Sequence, residues 1–582
     1  MLAFGLRKPA GMELMRRAFS LLSLVFAVSA AQAGVKVTVE PAKRALRENI
    51  EAYIGPVEAD SHAEMARQLR YLDQQATLAA QALGYYQTRN ELTISGPEDD
   101  PVLNVRVESG EPVRLDRVDV QVLGAGASTP AFALGVSDLL REGQVLNHGQ
   151  YETLKTRISN RALRYGYFKG QYLKHELRVD PEQGKADVDI RYDTGPRYSF
   201  GPVHFSETQF SDDLLARMVP FEAGAPYDAD LVGKLNQDLL SSGYFRGVLV
   251  TAPADRAVGE QVPVEVEITE RDPNSLGFGG GYSTDVGARA RMTWDQHWIN
   301  PQGHSRGASM ELSLPRQELS AFYQVPLDDP ITHQLRYFVG WQKEDIDDVQ
   351  THSFALGAEV NKRLKSGWQR SVGLRLQQEV FSLGDDSGTA TMLIPSLVLQ
   401  RTHSTGGMDP QSGYSMLLDV QGAKEGVLST VDFARVMGQL KGLHTVFERH
   451  RFLGRIALGA VATNDFASIP PSLRFFAGGD QSIRGYDYQS LSPVDSTGET
   501  IGARYLMASS AEYQYEFIHN WRAATFVDHG NAVDSLTDPL KTSVGVGIRW
   551  ASPIGPIRFD LARSLSDPDV GFKIHFSMGP EL

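Results

Sequence analysis

Two periodicities divide the chain. Up to about residue 272, stretches with apolar residues three and four positions apart are interspersed with short segments in which apolar and polar residues alternate. The first spacing is typical of one face of a helix and the second of a strand with one buried face. From about residue 275 only the two-residue alternation remains. The pattern therefore predicts a first half that mixes helices with strands and a second half built from strands.

A motif of one glycine followed by two aromatic residues recurs in the first half. Each copy follows a stretch with apolar residues on one helical face and precedes segments that predict strands. Glycine readily ends a helix because it adopts the left-handed conformation at no steric cost. The repeat predicts three β-α-α-β-β modules with three-stranded sheets, over residues 34–111, 112–195 and 196–272. The copies are Gly84-Tyr85-Tyr86, Gly166-Tyr167-Phe168 and Gly243-Tyr244-Phe245.

The second half is a long series of strand patterns joined by turns. Alternating segments such as 289–294, 335–341 and 545–550 are separated by clusters of Asn, Asp, Pro, Ser and Gly, which favour turns. Strands that cross a membrane at a tilt need about 9–11 residues each, so residues 273–582 accommodate about 16 of them. The pattern predicts a transmembrane antiparallel β-barrel. A soluble sandwich is disfavoured because so long a series of strands normally splits into domains.

The first 33 residues have the three parts of a secretory signal peptide. Arg16-Arg17 precede an apolar run at 18–30, and Ala31-Gln32-Ala33 fits the small-residue cleavage pattern. The run is shorter than the roughly 20 apolar residues of a membrane-spanning helix, and no later stretch supplies them. An exported chain of this kind would have to span a membrane as a barrel.

Composition and motif searches argue against several functions. The formal net charge of −14 disfavours nucleic acid as a partner, and the lack of cysteine excludes disulfides and thiolate metal sites. No nucleophile elbow, metalloprotease helix or phosphate-binding loop is found. His529 beside Asp528 is the one candidate base, and adjacent residues of a strand point to opposite faces. No catalytic residue, metal or cofactor is therefore predicted. An outer-membrane barrel enzyme stays as an alternative. It predicts that the purified barrel turns over a substrate.

One loop of the barrel half carries an unusual set of glycine and charged residues. Two glycines permit a tight backbone course, and a single arginine then stands between an apolar residue and a Gly-Tyr pair. An arginine within an all-β region needs carboxylate partners or water. The set resembles the loop-six signature of the BamA/TamA superfamily of outer-membrane insertases and translocases. Its members are Gly479, Asp480, Arg484, Gly485 and Tyr486.

The same resemblance assigns partners to this arginine. Glu512 and Asp528 lie in two alternating segments, and both match the strand carboxylates that receive the loop-six arginine in that superfamily. By this resemblance, Arg484 reaches through the lumen to Glu512 and Asp528. A guanidinium can satisfy two carboxylates at once because its donors form a planar fork. The alternative is that the two acids are unrelated carboxylates facing a polar barrel interior.

The three modules resemble polypeptide-transport-associated (POTRA) domains. In that family such domains lie in the periplasm and meet clients or partner proteins by adding a strand to an exposed sheet edge. Simple spacers at the mouth of the barrel are the alternative.

Three such modules and a chain of this length are most similar to the TamA branch of the superfamily. This resemblance implies a TamB-like partner anchored in the inner membrane. It also implies a barrel in the outer membrane of a Gram-negative bacterium that assists the insertion or secretion of autotransporters and other outer-membrane proteins. Outer-membrane lipid is a further expected partner, through a role in lipid transport between membranes. A general BamA-like insertase and a two-partner secretion transporter stay open.

The first and last strands of the barrel are expected to pair weakly. Glycine weakens a strand interior, and a barrel hides its edges only by closing on itself. A weak seam between these strands is therefore where the barrel could open sideways. One alternative is that the glycines make room for an aromatic neighbour. Another is a passive porin or receptor, which would have a sealed seam. The seam residues are Gly277, Gly279, Gly280 and Gly281 in the first strand and Phe572, Ile574 and Phe576, on one lipid-facing side, in the last.

Overall fold

The computed structural model describes residues 32–132, 139–346, 349–383, 386–405, 407, 409–553 and 555–579. Residues 1–31 of the predicted signal peptide lie outside this set. No helix within the described ranges is long and apolar enough to cross a membrane. The chain forms two compact units, one comprising residues up to 202 with 223–230 and 253–263, and the other the remaining residues.

The first module folds as two helices on a small sheet. Strands β1 and β4 run parallel in the centre, and apolar residues of both helices, such as Ile50 and Leu72, are buried with them. The sheet has four strands in the order β2-β1-β4-β3, one more than predicted, because Val57 and Glu58 pair with the start of β1. The elements are β1 (Gln32–Glu40), α1 (Arg44–Ile54), β2 (Val57–Glu58), α2 (His62–Ala82), β3 (Arg89–Ser95) and β4 (Val102–Glu108).

The second and third modules each contain the predicted three-stranded sheet, in the orders β5-β7-β6 and β8-β10-β9. In the second module, residues 133–138 lie outside the described set. The elements are β5 (Arg114–Leu123), α3 (His148–Arg164), β6 (Gln171–Asp180), β7 (Lys185–Asp193), β8 (Ser199–Phe205), α4 (Asp212–Ala216), α5 (Ala229–Ser241), β9 (Phe245–Thr251) and β10 (Gln261–Glu270). Short 3₁₀ turns lie at Gly124–Gly126, Pro130–Phe132, Ala254–Arg256, Pro471–Leu473 and Pro568–Val570.

The glycines of the repeated motif follow the helices in the left-handed conformation. Their φ angles are 88° at Gly84, 80° at Gly166 and 83° at Gly243. At Gly84 a Cβ atom would also lie 2.5 Å from the carbonyl oxygen of Leu146. The motif thus ends each helix and lets the following aromatic residues start the next segment against the module core.

The barrel half is one sheet of 16 antiparallel strands in sequence order. Its strands are β11 (Asn274–Ser283), β12 (Gly287–Gln296), β13 (Ser305–Ser313), β14 (Arg316–Pro326), β15 (His333–Ile346), β16 (Val349–Arg363), β17 (Gln369–Leu383), β18 (Asp386–Thr405), β19 (Ser412–Ala423), β20 (Phe433–Val446), β21 (His450–Ala462), β22 (Tyr505–Ile518), β23 (Trp521–Val533), β24 (Lys541–Ser552), β25 (Gly555–Ser564) and β26 (Phe572–Met578).

Alternation along strands such as β24 separates an apolar outer face from a polar inner face. On β24, Val546 and Ile548 are 58% and 46% exposed, whereas Ser543 and Arg549 are 0% and 3% exposed. An apolar residue that faces away from the lumen is exposed in the isolated chain but suits contact with lipid. The predicted fold class, POTRA modules followed by a barrel of about 16 strands, is confirmed.

Candidate functional site in the barrel lumen

The long connection between β21 and β22, residues 463–504, folds into the barrel and is called loop six here. Its apolar residues share one buried cluster with side chains of the barrel wall. Ile483, next to the loop arginine, is 0% exposed. The loop also contacts β17, where the hydroxyl of Ser472 donates to Glu379 Oε2 at 2.5 Å. Loop six is therefore fixed against the wall by packing as well as by polar contacts.

Arg484 lies at the centre of a charged network. Its Nε and Nη2 donate to the two carboxylate oxygens of Asp528 at 2.8 and 2.9 Å, and its Nη1 donates to Glu512 Oε2 at 2.7 Å. Its backbone N–H also donates to Asp528, at 3.0 Å. The guanidinium carbon stands 3.3 Å above the ring centroid of Phe526. The structure thus brings together the arginine and the two carboxylates named from the sequence.

Two charged residues that the sequence reasoning missed complete the network. Arg549 on β24 donates to Glu512 Oε1 at 3.0 Å and to Asp560 Oδ1 at 2.6 Å. Asp560 on β25 also accepts from Arg484 Nη1 at 3.3 Å. Two arginines and three carboxylates therefore share one site, in which every charged side chain is 9% exposed or less. Buried charges need such close pairing to offset their lost hydration.

Glycines on β24 make room for this network. A Cβ atom at Gly547 would lie 1.9 Å from Asp560 Oδ1, and one at Gly545 would lie 2.3 Å from the ring of Phe526. The alternation along β24 and β25 places Arg549 and Asp560 on the face that points into the lumen. This alternation was the sequence signal for the missed pair.

Gly485 and Tyr486 attach the loop tip to the last two strands. The N–H of Gly485 donates to His575 Nε2 at 2.9 Å. The hydroxyl of Tyr486 lies 2.6 Å from Ser564 Oγ and donates to Asp567 Oδ2 at 2.7 Å. Gly485 has a φ of 95° and a Cβ atom there would approach Ser543, so glycine is required by both conformation and space.

Gly479 and Asp480 face the first hairpin, and Asp480 also contacts the last strand. Asp480 contacts His575 on β26 and the residues Thr284 and Asp285, which lie in the turn between β11 and β12. Potential metal-ligating atoms of Asp285, Asp480 and His575 lie within 4.8 Å of one another. However, His575 Nε2 already accepts from Gly485, so the proton of a neutral ring sits on Nδ1 and points at Asp480. This tautomer leaves neither ring nitrogen available to a metal.

The seam between β11 and β26 differs from every other strand contact in the barrel. Among the described residues, neighbouring strands from β11 to β26 form continuous ladders, but none joins β26 to β11. The two edges meet at the N–H of Thr284, which donates to the carbonyl of Phe576 at 3.0 Å. The N–H of Phe576 donates back to Thr284 Oγ1 at 3.1 Å, and the rings of Tyr282 and Phe576 are 5.8 Å apart.

The predicted seam residues take different positions along these two edges. The four glycines pair with β12, opposite Thr293, Arg291, Ala290 and Arg289, none of them aromatic. Phe572 and Ile574 are 64% and 56% exposed on the outer face of β26. Of the three predicted seam residues on β26, only Phe576 makes a backbone hydrogen bond to the first hairpin among the described residues. The contact therefore lies near the turn after β11, beyond the glycines.

A second charged cluster adjoins the first, because Arg522 on β23 pairs directly with Arg549 on β24. Asp409, in the turn between β18 and β19, accepts from Arg451 Nη1 at 2.8 Å and from Arg522 Nη2 at 2.6 Å. Arg522 also donates to Glu516 at 3.1 Å. Burial alone would raise the pKa of Asp409, but hydrogen bonds from Arg522 and Arg451 outweigh it and hold the pKa below its usual range.

The structure separates the candidate base from the carboxylate beside it. Asp528 is fully buried in the lumen network, whereas His529 is exposed on the opposite face of β23 and hydrogen-bonded to Thr542. In the network of loop six each carboxylate is paired with an arginine. Such an arrangement fixes a loop in place, and it presents no paired nucleophile and base.

Family models match three parts of the chain. The Omp85 superfamily domain matches residues 274–581, a model named POTRA domain TamA domain 1 matches residues 36–109, and a POTRA model described as surface antigen variable number repeat matches residues 198–271. These matches correspond to the barrel and to the first and third modules.

Curated relatives and solved structures agree with these matches. The outer membrane protein assembly factor BamA of Nitratidesulfovibrio vulgaris is 26% identical over 402 residues, which cover 63% of this chain and 49% of that protein. BamA of Neorickettsia risticii is 23% identical over 513 residues, which cover 80% of this chain and 66% of that protein. This chain thus spans less than two thirds of either relative.

The crystal structure of BamA from Haemophilus ducreyi lacking POTRA domains 1–3 has the same fold, with a TM-score of 0.66 and 16% identity. The match covers 80% of this chain and 99% of the Haemophilus ducreyi chain. Proteins of this architecture are outer-membrane barrels with periplasmic POTRA domains, and they are assembly or transport proteins, not enzymes. Because the superfamily model matches more than half of the chain, the protein belongs to the Omp85 superfamily.

Proposed function

We propose that this protein is a TamA-type outer-membrane component of a translocation and assembly module. It assists the insertion or secretion of autotransporters and other outer-membrane proteins through the seam between β11 and β26. The single observation that carries this proposal is the seam itself. In a sheet whose other neighbouring strands are joined by antiparallel ladders, the described edges meet mainly around Thr284 and Phe576. An unpaired strand edge is a template on which another strand can form.

The geometry of loop six supports this mechanism. The charged network around Arg484 holds the loop against strands β22 to β25, so these strands and the loop act as one fixed wall. β11 carries glycines on its inner and outer positions, which reduces the packing that would otherwise hold it in place. A fixed wall beside a weakly held first hairpin favours opening at the seam rather than elsewhere in the barrel.

The POTRA domains supply the proposed contact with a partner. In the first domain β3 is an edge strand, and in the second β5 and β6 are edge strands of the described sheet. Their backbone donors and acceptors can pair with an added strand whatever its side chains. We propose a TamB-like protein anchored in the inner membrane as that partner, with client proteins and outer-membrane lipid as cargo. The match of the first domain to a TamA domain model favours this branch.

Locking the seam tests the proposed route. The chain has no cysteine, so the variant Tyr282→Cys with Phe576→Cys can form a single disulfide, at a place where the two rings are 5.8 Å apart. We expect oxidation to lower the assembly of an autotransporter in cells at least tenfold, because no client strand can then reach the edge. Reduction should restore assembly. The measurement is protease-accessible autotransporter at the cell surface.

A matched pair of cysteines controls for the disulfide itself. Thr402→Cys with Ser415→Cys would join β18 to β19, where the two hydroxyl oxygens are 3.1 Å apart and the strands are already paired. This variant should assemble clients normally in both redox states. If the seam-locked barrel also assembles clients normally, the lateral route is wrong, and the barrel acts as a scaffold or a passive pore.

Depletion of the protein separates the TamA-type role from a general BamA-like role, which the names of the curated relatives suggest. A TamA-type component should affect autotransporters while most barrel proteins keep their level in the outer membrane. The measurement is quantitative proteomics of outer membranes after depletion. A parallel loss of all barrel proteins would contradict the narrower role and favour the general insertase.

A further inference from the structure

Loop six touches both edges of the seam through one residue. The hydroxyl of Thr284, in the turn after β11, donates to Asp480 Oδ1 at 3.0 Å. The backbone N–H of Asp480 donates to the carboxylate of Asp285, with distances of 3.0 and 3.2 Å to its two oxygens. The side chain and the backbone of Asp480 therefore both hold the first hairpin.

The same carboxylate holds the last strand. His575 on β26 lies with its Nδ1 2.9 Å from Asp480 Oδ1. The ring orientation is fixed from the other side, because the N–H of Gly485 donates to His575 Nε2. The side chains of Asp480 and His575 are each 5% exposed, so water competes little for this contact.

Gly479 allows the loop to approach the first hairpin this closely. Its φ is 94°, and a Cβ atom there would lie 2.8 Å from Asp285 Oδ2. A side chain would therefore push the hairpin turn away from the loop. Gly479 and Asp480 are thus both suited to a contact with the first hairpin. The charged network around Arg484 does not involve this contact.

We propose that Asp480 is a seam clasp, a positioning residue that ties the turn of the first hairpin to the last strand. Without it, the described edges keep the two hydrogen bonds between Thr284 and Phe576 and the nearby aromatic contact. Opening of the seam then requires Asp480 to release Thr284 and Asp285 on one side or His575 on the other. This clasp rests on the proposed function only in its purpose, since its effect on the seam is measurable without a client.

Hydrogen exchange of the full-length protein in lipid nanodiscs tests the clasp. The readouts are the amides of Thr284 and Phe576, which are hydrogen-bonded at the seam. Asp480→Ala removes the side-chain contacts to both edges, and Asp285→Ala removes the acceptor of the Asp480 backbone. We expect both variants to exchange these amides at least tenfold faster, while amides of β18 and β19 keep their rates.

Asp487→Ala is the matched control. Asp487 also lies in loop six and pairs with Lys573 of the last strand at 2.7 Å, but its carboxylate is 66% exposed and makes no hydrogen bond or ion pair with the first hairpin among the described residues. This variant should change the seam amides by less than twofold. Unchanged seam exchange in both Asp480→Ala and Asp285→Ala, with the barrel folded, would overturn the clasp. Faster exchange combined with normal client assembly by the disulfide-locked barrel would instead leave the clasp standing and reject the lateral route.

Discussion

Replacing Arg484 with alanine is expected to lower the free energy of unfolding of the barrel by about 3–5 kcal/mol. The change removes the ion-pair partner that Asp528, Glu512 and Asp560 share. Glu512 and Asp560 keep Arg549, whereas Asp528 keeps the hydroxyl of Ser510 and the nearby charge of Arg455. Removing one member of a buried charged group costs more than the group contributes to stability, because the remaining charges stay desolvated. The tip of loop six around residue 484 should then loosen from the wall, while the apolar residues of the loop stay packed.

Two further variants separate charge from geometry. Arg484→Lys keeps the positive charge, but an ammonium cannot bind both oxygens of Asp528 and reach Glu512 in the same plane, so an intermediate loss is expected. Arg484→Ala combined with Asp528→Asn should be more stable than Arg484→Ala alone, because one uncompensated carboxylate is removed. The measurements are the urea midpoint of unfolding in detergent micelles and the heat-modifiable migration of the folded barrel.

Lys424→Ala provides the control. Lys424 pairs with Asp432 at 2.8 Å, but its side chain is 74% exposed, and exposed ion pairs contribute little to stability. Its urea midpoint should match that of the unchanged protein. Equal midpoints for Lys424→Ala and Arg484→Ala would mean that the network around Arg484 does not hold the loop, and the interpretation of loop six as a fixed wall would fail.

The sequence was sufficient for the fold because local periodicity determines it. On β24, the alternation of Val544, Val546 and Ile548 with Ser543 and Gly545 already separates an outer from an inner face. The same reasoning could not find β2, because a strand of two residues has no period. Its pairing with the start of β1 depends on how the first two helices bring it there.

The candidate site was only partly visible for a related reason. Arg484, Glu512 and Asp528 belong to a recognisable motif, whereas Arg549 and Asp560 join them through the register of strands β22 to β25. The alternation along a strand predicts on which face of the sheet a side chain lies. It does not predict how close that side chain comes to a loop from elsewhere in the chain. The contact between Asp480 and Asp285 joins residues 195 positions apart. No local pattern contains that information.

Replacing Asp409 with alanine is expected to cost about 3 kcal/mol and to be coupled to the loss of Arg484. The change removes the carboxylate that binds both Arg451, which is 1% exposed, and Arg522, which is 7% exposed. Asp409→Asn should cost less, because the amide oxygen still accepts hydrogen bonds.

Asp328→Ala is the matched control, since Asp328 lies in another turn at the same end of the barrel, and its carboxylate is 68% exposed. Its urea midpoint should stay unchanged. The coupling to Arg484 follows from strand register, because Arg522 pairs directly with Arg549 of the Arg484 network. Arg451 pairs with Gln514, whose amide donates to Glu512 in the same network. The losses of Asp409→Ala and Arg484→Ala should therefore depart from additivity by more than about 0.5 kcal/mol in a double-mutant cycle. Additivity to within that margin would mean that the two clusters respond separately in spite of this register.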